Sequence, residues 1–186
     1  MELIEVLEES ILPRILTLTL LLVLSAFFSA CEAAFFSLTS FQLKELKEKK
    51  GRWGLITSNL LEKPRELLIT IYIGNELVNI SVSVITTSIF ITKFGNLGIG
   101  IAIGVSTFLL LVFGEIIPKS LSLQFPQTYA LSASYPLRLF AFIVQPVQIL
   151  LTSLAEKFIL LMGISLQKNK ETTITDDEFR TMGQMS

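Results

Sequence analysis

Three long apolar runs constrain this chain more than any other feature, and each contains a single charged residue, a glutamate. The runs are residues 15–38, 67–92 and 97–117, of 24, 26 and 21 residues, and their charged residues are Glu32, Glu76 and Glu115. About 20 apolar residues in a helix cross the roughly 30 Å hydrocarbon core of a bilayer. The pattern predicts an all-α integral membrane protein with three transmembrane helices.

Composition excludes several classes of function. Of the 186 residues, 51% are apolar and 17% are charged, and the net charge is -1, so there is no basic field that would hold nucleic acid. The chain has one cysteine, Cys31, and no histidine, which excludes an internal disulfide and imidazole catalysis and disfavours a structural zinc site. We therefore expect a protein that is not an enzyme and whose polar ligands are oxygen atoms.

The loop between the first two runs is strongly basic. It contains Lys44, Lys47, Lys49, Lys50, Arg52, Lys63 and Arg65. By the positive-inside rule this loop is cytoplasmic, which places the N-terminus outside and the segment after the third run in the cytoplasm. Leucines at helical spacing predict a pair of short cytoplasmic helices over about residues 40–62. The first nine residues hold four glutamates instead of a positive n-region, so the first run is expected to remain as structure.

A fourth apolar run, residues 139–155, is the hardest to interpret. Its 17 uncharged residues lie at the lower limit for a span, and they include Gln145, Pro146 and Gln148. We predict a bent juxtamembrane segment over about residues 127–163, broken at Pro136 and Pro146 and either embedded in the membrane or interfacial, in preference to a fourth crossing. The polar residues 166–186 are predicted to form a linker.

Polar residues inside the spans form two stripes. Ser25, Ser29 and Glu32 share one helix face by their spacing of four and three residues, and Asn75 and Asn79 share a face of the second span. Ser83 and Thr86 continue the second stripe. We expect the two stripes to face each other across the bundle.

The third span ends in Gly114-Glu115-Ile116-Ile117-Pro118, and we expect the helix to break there. Pro118 has no amide hydrogen, so in a regular helix the Gly114 carbonyl loses its partner. Hydroxyls, amide carbonyls, a carboxylate and a free backbone carbonyl form an all-oxygen set, which suits Mg²⁺, Ca²⁺ or Na⁺. The alternative is ordinary helix packing, in which Glu115 pairs with Lys119 four residues later.

Three segments together resemble the transmembrane domain of the CorC/CNNM family of magnesium transporters. They are Ser-Ala-Phe-Phe-Ser-Ala-Cys-Glu-Ala-Ala at 25–34, Ile-Gly-Asn-Glu-Leu-Val-Asn-Ile at 73–80 and Gly-Glu-Ile-Ile-Pro-Lys at 114–119. The resemblance covers about residues 10–165, so we assign residues 1–165 to this domain. Cys31 departs from the small residue found in many relatives.

The resemblance implies three transmembrane helices, a short cytoplasmic helix pair, a belt-like juxtamembrane helix and a homodimer in the plasma (inner) membrane. It also implies an inward-facing cavity that holds dehydrated Mg²⁺, with Na⁺ driving export. The implied metal neighbourhood is Ser25, Ser29, Asn75, Asn79, the Gly114 carbonyl and Glu115. Relatives continue into CBS domains that bind ATP. Residues 173–178 resemble the start of that connection, so no nucleotide site is expected in this chain.

Two other functions fit the same residues. One is a membrane-bound Mg²⁺ sensor or scaffold, which would bind the ion without net flux. The other is a proton-coupled antiporter that uses Glu32 and Glu76, which would show pH dependence without Na⁺ dependence.

Overall fold

A computed structural model describes the backbone of residues 2–49 and 51–162 and the side chains of residues 11–48 and 51–162. Over these residues the chain is helical and contains no β-strand, which confirms the all-α prediction. The helices are α1 Glu2–Ser37, α2 Ser40–Lys49, α3 Gly51–Leu61, α4 Pro64–Phe94, α5 Gly98–Leu109, α6 Ile117–Gln124 and α7 Pro126–Leu161. The predicted linker over residues 166–186 lies outside the described residues.

Three stretches are long and apolar enough to cross a membrane: Ile11–Ser37, Pro64–Gln124 and Pro126–Leu161. The first contains the first predicted span. The second contains the other two predicted spans, because α4 and α5 are joined by a 3₁₀ turn, Gly95–Leu97, at which the chain reverses. The third contains residues 139–155, for which the sequence predicts a segment that does not cross the membrane. Whether this segment crosses stays untested.

Helices α1 and α4 pack side by side in antiparallel directions. Three contacts fix their register: Arg14 Nη1 donates to Thr92 Oγ1 at 3.0 Å, Ser25 Oγ donates to Asn79 Oδ1 at 2.7 Å, and the Phe28 ring lies against Gly74. As the residue numbers in these three contacts increase along α1, the numbers of their partners decrease along α4. Gly74 is required here, because a Cβ at this position would come within 2.4 Å of the Phe28 ring.

The third membrane helix is continuous, and the predicted break near its end is wrong. A π-helical segment, Leu110–Ile116, joins α5 to α6, and the Ile117 amide donates to the Val112 carbonyl five residues earlier. The wider turn accommodates Pro118, whose ring would otherwise collide with the carbonyl four residues before it.

The hydrophobic core lies among α1, α4 and the first half of α7. Its fully or nearly fully buried side chains include Phe28, Phe35, Leu67, Ile71, Val82 and Leu137. Phe28 also packs against Phe140, with ring centroids 4.9 Å apart. The core therefore holds α7 against the two helices that contain the polar stripes.

The two short helices α2 and α3 occupy the region between the first two apolar runs. Thr39 and Gln42 form a capping box at the start of α2, because each side chain accepts from the backbone amide of the other, at 3.0 and 3.3 Å. Lys47 and Glu62 join the two helices by an ion pair of 3.5 Å. Their cytoplasmic location stays a prediction.

Helix α7 passes through Pro136 and Pro146, so the predicted interruptions at these residues are wrong. Each proline removes one backbone hydrogen bond, and the bonds on either side continue the helix. The chain forms two compact units, Met1–Gln148 and Ile149–Ser186, and the described part of the second unit is the end of α7.

Candidate functional site

The two polar stripes face each other, as their spacing predicts. Ser25 on α1 is fully buried, and its hydroxyl donates to Asn79 Oδ1 on α4 at 2.7 Å. The residues that continue the second stripe do not form hydrogen bonds to the described residues of α1. Ser83 and Thr86 donate to carbonyls of their own helix, at 3.0 and 2.7 Å, so their hydroxyl protons are satisfied within α4.

Ser29 and Asn75 lie opposite each other one turn closer to the basic loop. Ser29 follows Ser25 by one turn on α1, and Asn75 precedes Asn79 by one turn on the antiparallel α4. Among the described residues, Ser29 Oγ and Asn75 Oδ1 are the buried side-chain oxygens without a hydrogen-bond partner. A buried unsatisfied polar group costs about 1–3 kcal/mol, so a cation or a water bound here would stabilise the arrangement.

Gly114 brings the third membrane helix against the same place. A Cβ on residue 114 would come within 2.7 Å of Ser25 Oγ, so a larger residue there would displace the hydroxyl that donates to Asn79. Ser25 therefore contacts both other spans, through Asn79 on one side and Gly114 on the other.

The end of the π segment leaves backbone carbonyls without partners inside the helix. The Ile117 amide bonds the Val112 carbonyl, and in α6 the Ser120 amide pairs with the Ile116 carbonyl by the α-helical pattern. Three carbonyls, those of residues 113, 114 and 115, lie between these bonds. The only amide between them is that of Lys119, because Pro118 has none. At least two of the three carbonyls therefore lack an intrahelical donor.

This count extends the sequence prediction, which identified only the Gly114 carbonyl. The free carbonyl of Phe113, whose usual donor Ile117 bonds Val112 instead, was missed. Pro118 indicates in the sequence that one carbonyl loses its donor. The loss of a second donor results from the change from π to α hydrogen bonding, which the sequence does not predict.

Glu115 is half-buried, and within the described part of the chain it has no hydrogen-bond or ion-pair partner. Lys119 pairs with Glu32 instead, with Nζ 3.0 Å from Oε2. The alternative explanation of Glu115, a helical pair with Lys119, is therefore wrong. Its carboxylate follows Gly114 directly and remains available to a ligand.

Glu76 lies apart from this group. Its side chain is exposed on the outer side of α4, and no described residue pairs with it. Asn75, its neighbour, is half-buried and belongs to the polar stripe.

The oxygen atoms at this place are mostly neutral. Within residues 2–49 and 51–162 there is no group of three or more His, Cys, Asp or Glu side chains that would hold a metal. Hydroxyl, amide and backbone carbonyl oxygens, with one nearby carboxylate, are ligands for hard cations and suit thiophilic metals poorly.

These features define an all-helical membrane domain with a buried, oxygen-rich centre where three helices meet. The chain belongs to the cyclin M transmembrane N-terminal domain (CNNM) family, whose model matches residues 15–186. The family is one of transporter-type membrane domains and is associated with transport of Mg²⁺ and other divalent cations.

Curated relatives show the same relationship. The chain is 31% identical over 159 residues to the UPF0053 inner membrane protein YfjD of Escherichia coli. The matched region covers 86% of this chain and 37% of YfjD. The chain is 35% identical over 165 residues to a UPF0053 protein of Haemophilus influenzae, covering 89% and 39%. A chloroplastic DUF21 domain-containing protein of Arabidopsis thaliana is 33% identical over 167 residues, covering 90% and 25%. The chain thus spans well under half of these relatives.

Proposed function

We propose that this domain binds a dehydrated Mg²⁺ ion between α1, α4 and the π segment, and exports it in exchange for Na⁺. The observation that carries the proposal is that Ser29 Oγ and Asn75 Oδ1 are buried without partners, at positions that the Ser25–Asn79 register places at the same level of α1 and α4. A cation between them would satisfy both at once.

The donors match what Mg²⁺ requires. They are the hydroxyls of Ser25 and Ser29, the amide oxygens of Asn75 and Asn79, the Gly114 carbonyl and the Glu115 carboxylate. Mg²⁺ takes six oxygens at about 2.0–2.1 Å in octahedral geometry, and water fills any position that the protein leaves open. The Ser25 hydroxyl donates to Asn79 Oδ1 at 2.7 Å, and each of the two oxygens keeps a free lone pair with which it can bind the ion.

One carboxylate against two positive charges leaves the bound site with a net positive charge. Such a site in a low-dielectric membrane holds the ion less firmly than a site with two or three carboxylates. This balance suits an ion that must leave again. Na⁺ also prefers oxygen ligands, so exclusive occupancy of the same oxygens supplies coupling.

The proposed direction is expressed in the predicted topology, in which the basic loop and the segment after the third span lie in the cytoplasm and the protein lies in the inner membrane. We propose that Mg²⁺ enters from that side and leaves outward. The π segment gives the third helix a hydrogen-bonding pattern that can rearrange around Gly114 and Pro118.

We also propose that two copies associate through the membrane helices. Glu76 supports this, because an exposed carboxylate in the middle of a span costs about 2.5–3.5 kcal/mol when it faces lipid. A second copy would cover it. Cys31 is buried, so a Glu76→Cys variant has one accessible thiol among the described residues, and oxidative crosslinking to a dimer in membranes tests the interface.

The decisive experiment measures Mg²⁺ flux in proteoliposomes under an imposed Na⁺ gradient. Wild type is compared with Asn75→Ala and Glu115→Gln, and with Ser81→Ala as the control, because the Ser81 hydroxyl donates within its own helix to the Leu77 carbonyl. We expect Na⁺-dependent flux in wild type and Ser81→Ala, and its loss in the two site variants.

Mg²⁺ binding measured by titration on the same samples separates the alternatives. Binding that the site variants abolish, without flux in wild type, would replace transport by a sensor function. Flux that follows a pH gradient and ignores Na⁺ would support proton coupling instead.

A further inference from the structure

A cavity of about 480 Å³ lies between α3, the first turns of α4 and the middle of α7. It is separate in sequence from the proposed Mg²⁺ donors, none of which lines it. Its wall combines apolar, amide and cationic side chains, chiefly Leu67, Phe142, Asn59, Gln145, Lys63 and Arg138.

The cavity joins two places where charged sequence gives way to apolar sequence. Glu66 directly precedes the apolar run 67–92, with Lys63 one helical turn before its start, and Arg138 directly precedes the apolar run 139–155. Charged residues that flank apolar runs lie at the level of the lipid headgroups. The cavity therefore lies at the boundary between headgroups and acyl chains.

The charged groups in the wall leave one cation unpaired. Lys63 Nζ contacts both oxygens of the Glu66 carboxylate, at 3.0 and 3.2 Å. Arg138 is exposed, and no described residue forms a hydrogen bond or ion pair with it. A guanidinium with free donors is well matched to phosphate oxygens, which it binds in a bidentate manner.

The apolar part of the wall is equally open. Phe142 lines the cavity and is 75% exposed, and the neighbouring α7 residues Leu139 and Ile143 are 56% and 63% exposed. A ligand that places phosphate on Arg138 and hydrocarbon on Phe142 would be complementary to both parts. In a bilayer the abundant molecule with this composition is a phospholipid.

We propose that this cavity is a binding site for an anionic phospholipid, one molecule for each copy of the chain. The phosphodiester binds Arg138 with help from Lys63, the amides of Asn59 and Gln145 contact the headgroup or ester oxygens, and an acyl chain lies along Leu67 and Phe142. The surplus positive charge of the wall selects a lipid with net negative charge over a zwitterionic one.

The test uses the purified chain in a neutral detergent and dioctanoyl phosphatidylglycerol as the probe. The dissociation constant is obtained from the lipid-dependent rise in Tm and checked by lipid retention in native mass spectrometry. Arg138→Gln is expected to weaken binding about tenfold or more, because it removes a charge-assisted hydrogen bond to phosphate. Its side chain is exposed, so the fold does not depend on it.

Arg65→Gln is the matched control. Arg65 is also an exposed arginine beside the second apolar run, but it does not line the cavity. Binding in this variant is expected to stay within about twofold of wild type. Equal weakening in both arginine variants would reduce the effect to general surface charge and would overturn the proposal.

A second variant tests the cavity without altering charge. Ala141 lines the cavity, and Ala141→Phe fills part of it. We expect weaker phosphatidylglycerol binding in this variant, while unchanged binding would place the lipid elsewhere.

Three further probes define the ligand. Dioctanoyl phosphatidylcholine, glycerol 3-phosphate and inorganic phosphate are each expected to bind at least about tenfold more weakly than the anionic lipid. Equal binding of phosphatidylcholine would remove the proposed selectivity. Binding of inorganic phosphate as tight as that of the lipid would identify a soluble anion as the ligand and contradict the lipid assignment.

Discussion

Helix α4 carries buried polar contacts at its beginning and at its middle, and the two regions differ in how well those contacts are satisfied. At the beginning, the Thr70 hydroxyl donates to the Glu66 carbonyl at 2.9 Å, and Gln148 on α7 donates to the same carbonyl at 3.3 Å. In the middle, Asn75 Oδ1 and the opposing Ser29 Oγ are buried without partners.

The comparison separates a structural use of polar groups from a ligand-binding one. Hydrogen bonds at the beginning of α4 hold α7 in place, and their loss should lower stability. The unpaired oxygens in the middle lower stability by remaining unpaired, so their removal should cost ligand affinity and not stability. Four substitutions test this division, from the largest expected effect to the smallest.

Gly114→Ala should have the largest effect. Its Cβ would meet Ser25 Oγ at 2.7 Å, so the variant should lose about 1–3 kcal/mol of unfolding free energy by overpacking. The shifted helix should also raise the Mg²⁺ dissociation constant about 10- to 100-fold. Thermal unfolding in detergent and Mg²⁺ titration measure the two quantities.

The double variant Gly114→Ala with Ser25→Ala is the control for this prediction. The new Cβ would then meet the Cβ of residue 25 at 3.5 Å and Leu110 Cδ2 at 3.6 Å, both ordinary contacts, so stability should recover. Mg²⁺ affinity should stay low, because Ser25 is itself a proposed ligand. A single variant as stable and as tightly binding as wild type would remove Gly114 from the site.

Asn75→Leu should weaken Mg²⁺ binding about tenfold or more while leaving Tm unchanged or higher. It removes one proposed ligand and one unsatisfied buried oxygen and keeps the branching at Cγ. Wild type should also gain Tm on addition of Mg²⁺, and this gain should shrink in the variant. A fall in Tm without change in Mg²⁺ affinity would assign Asn75 a structural role.

Gln148→Leu is the same type of change, amide to leucine, on α7 where it contacts the beginning of α4. It removes the hydrogen bond to the Glu66 carbonyl and the 3.5 Å contact with Thr70, so unfolding free energy should fall by about 1–2 kcal/mol. The Mg²⁺ dissociation constant should stay within about twofold of wild type. If Gln148→Leu and Asn75→Leu behaved alike, the proposed division along α4 would be wrong.

Lys119→Met should have the smallest effect. The Lys119–Glu32 pair is about one-third exposed on each side, so its loss should cost at most about 1 kcal/mol. High salt should reduce the difference between wild type and variant, because it screens the pair. A salt-independent loss of several kcal/mol would show that the pair is a principal support of the fold.

Much of the fold could be predicted from the sequence, because membrane helices follow from apolar length alone. The apolar runs identified α1, α4 and the third helix, and the spacing of Ser25 and Asn79 predicted that their stripes meet. Proline was the weaker signal. It predicted breaks in α7 and in the third helix that do not occur, because neighbouring hydrogen bonds carry a helix past a missing donor.

The site could be predicted only in part. Residue types and spacing selected the oxygens, but the opposition of Ser29 and Asn75 depends on the register between α1 and α4, which is a tertiary property. The partner of Lys119 was missed for a related reason. In a regular helix, four-residue spacing would pair Lys119 with Glu115. The π turn changes the helix face on which Lys119 lies, and Lys119 forms its ion pair with Glu32 instead.

The π segment has a rotational consequence as well. Each residue of an α-helix advances the chain by about 100° around its axis, and a π turn contains one surplus residue. The segment Leu110–Ile116 therefore rotates α6 about the helix axis relative to α5. With this rotation, α5 packs against α4 while α6 packs against α1. Deleting one residue from the segment would turn α6 by about 100° and remove the face that now meets α1.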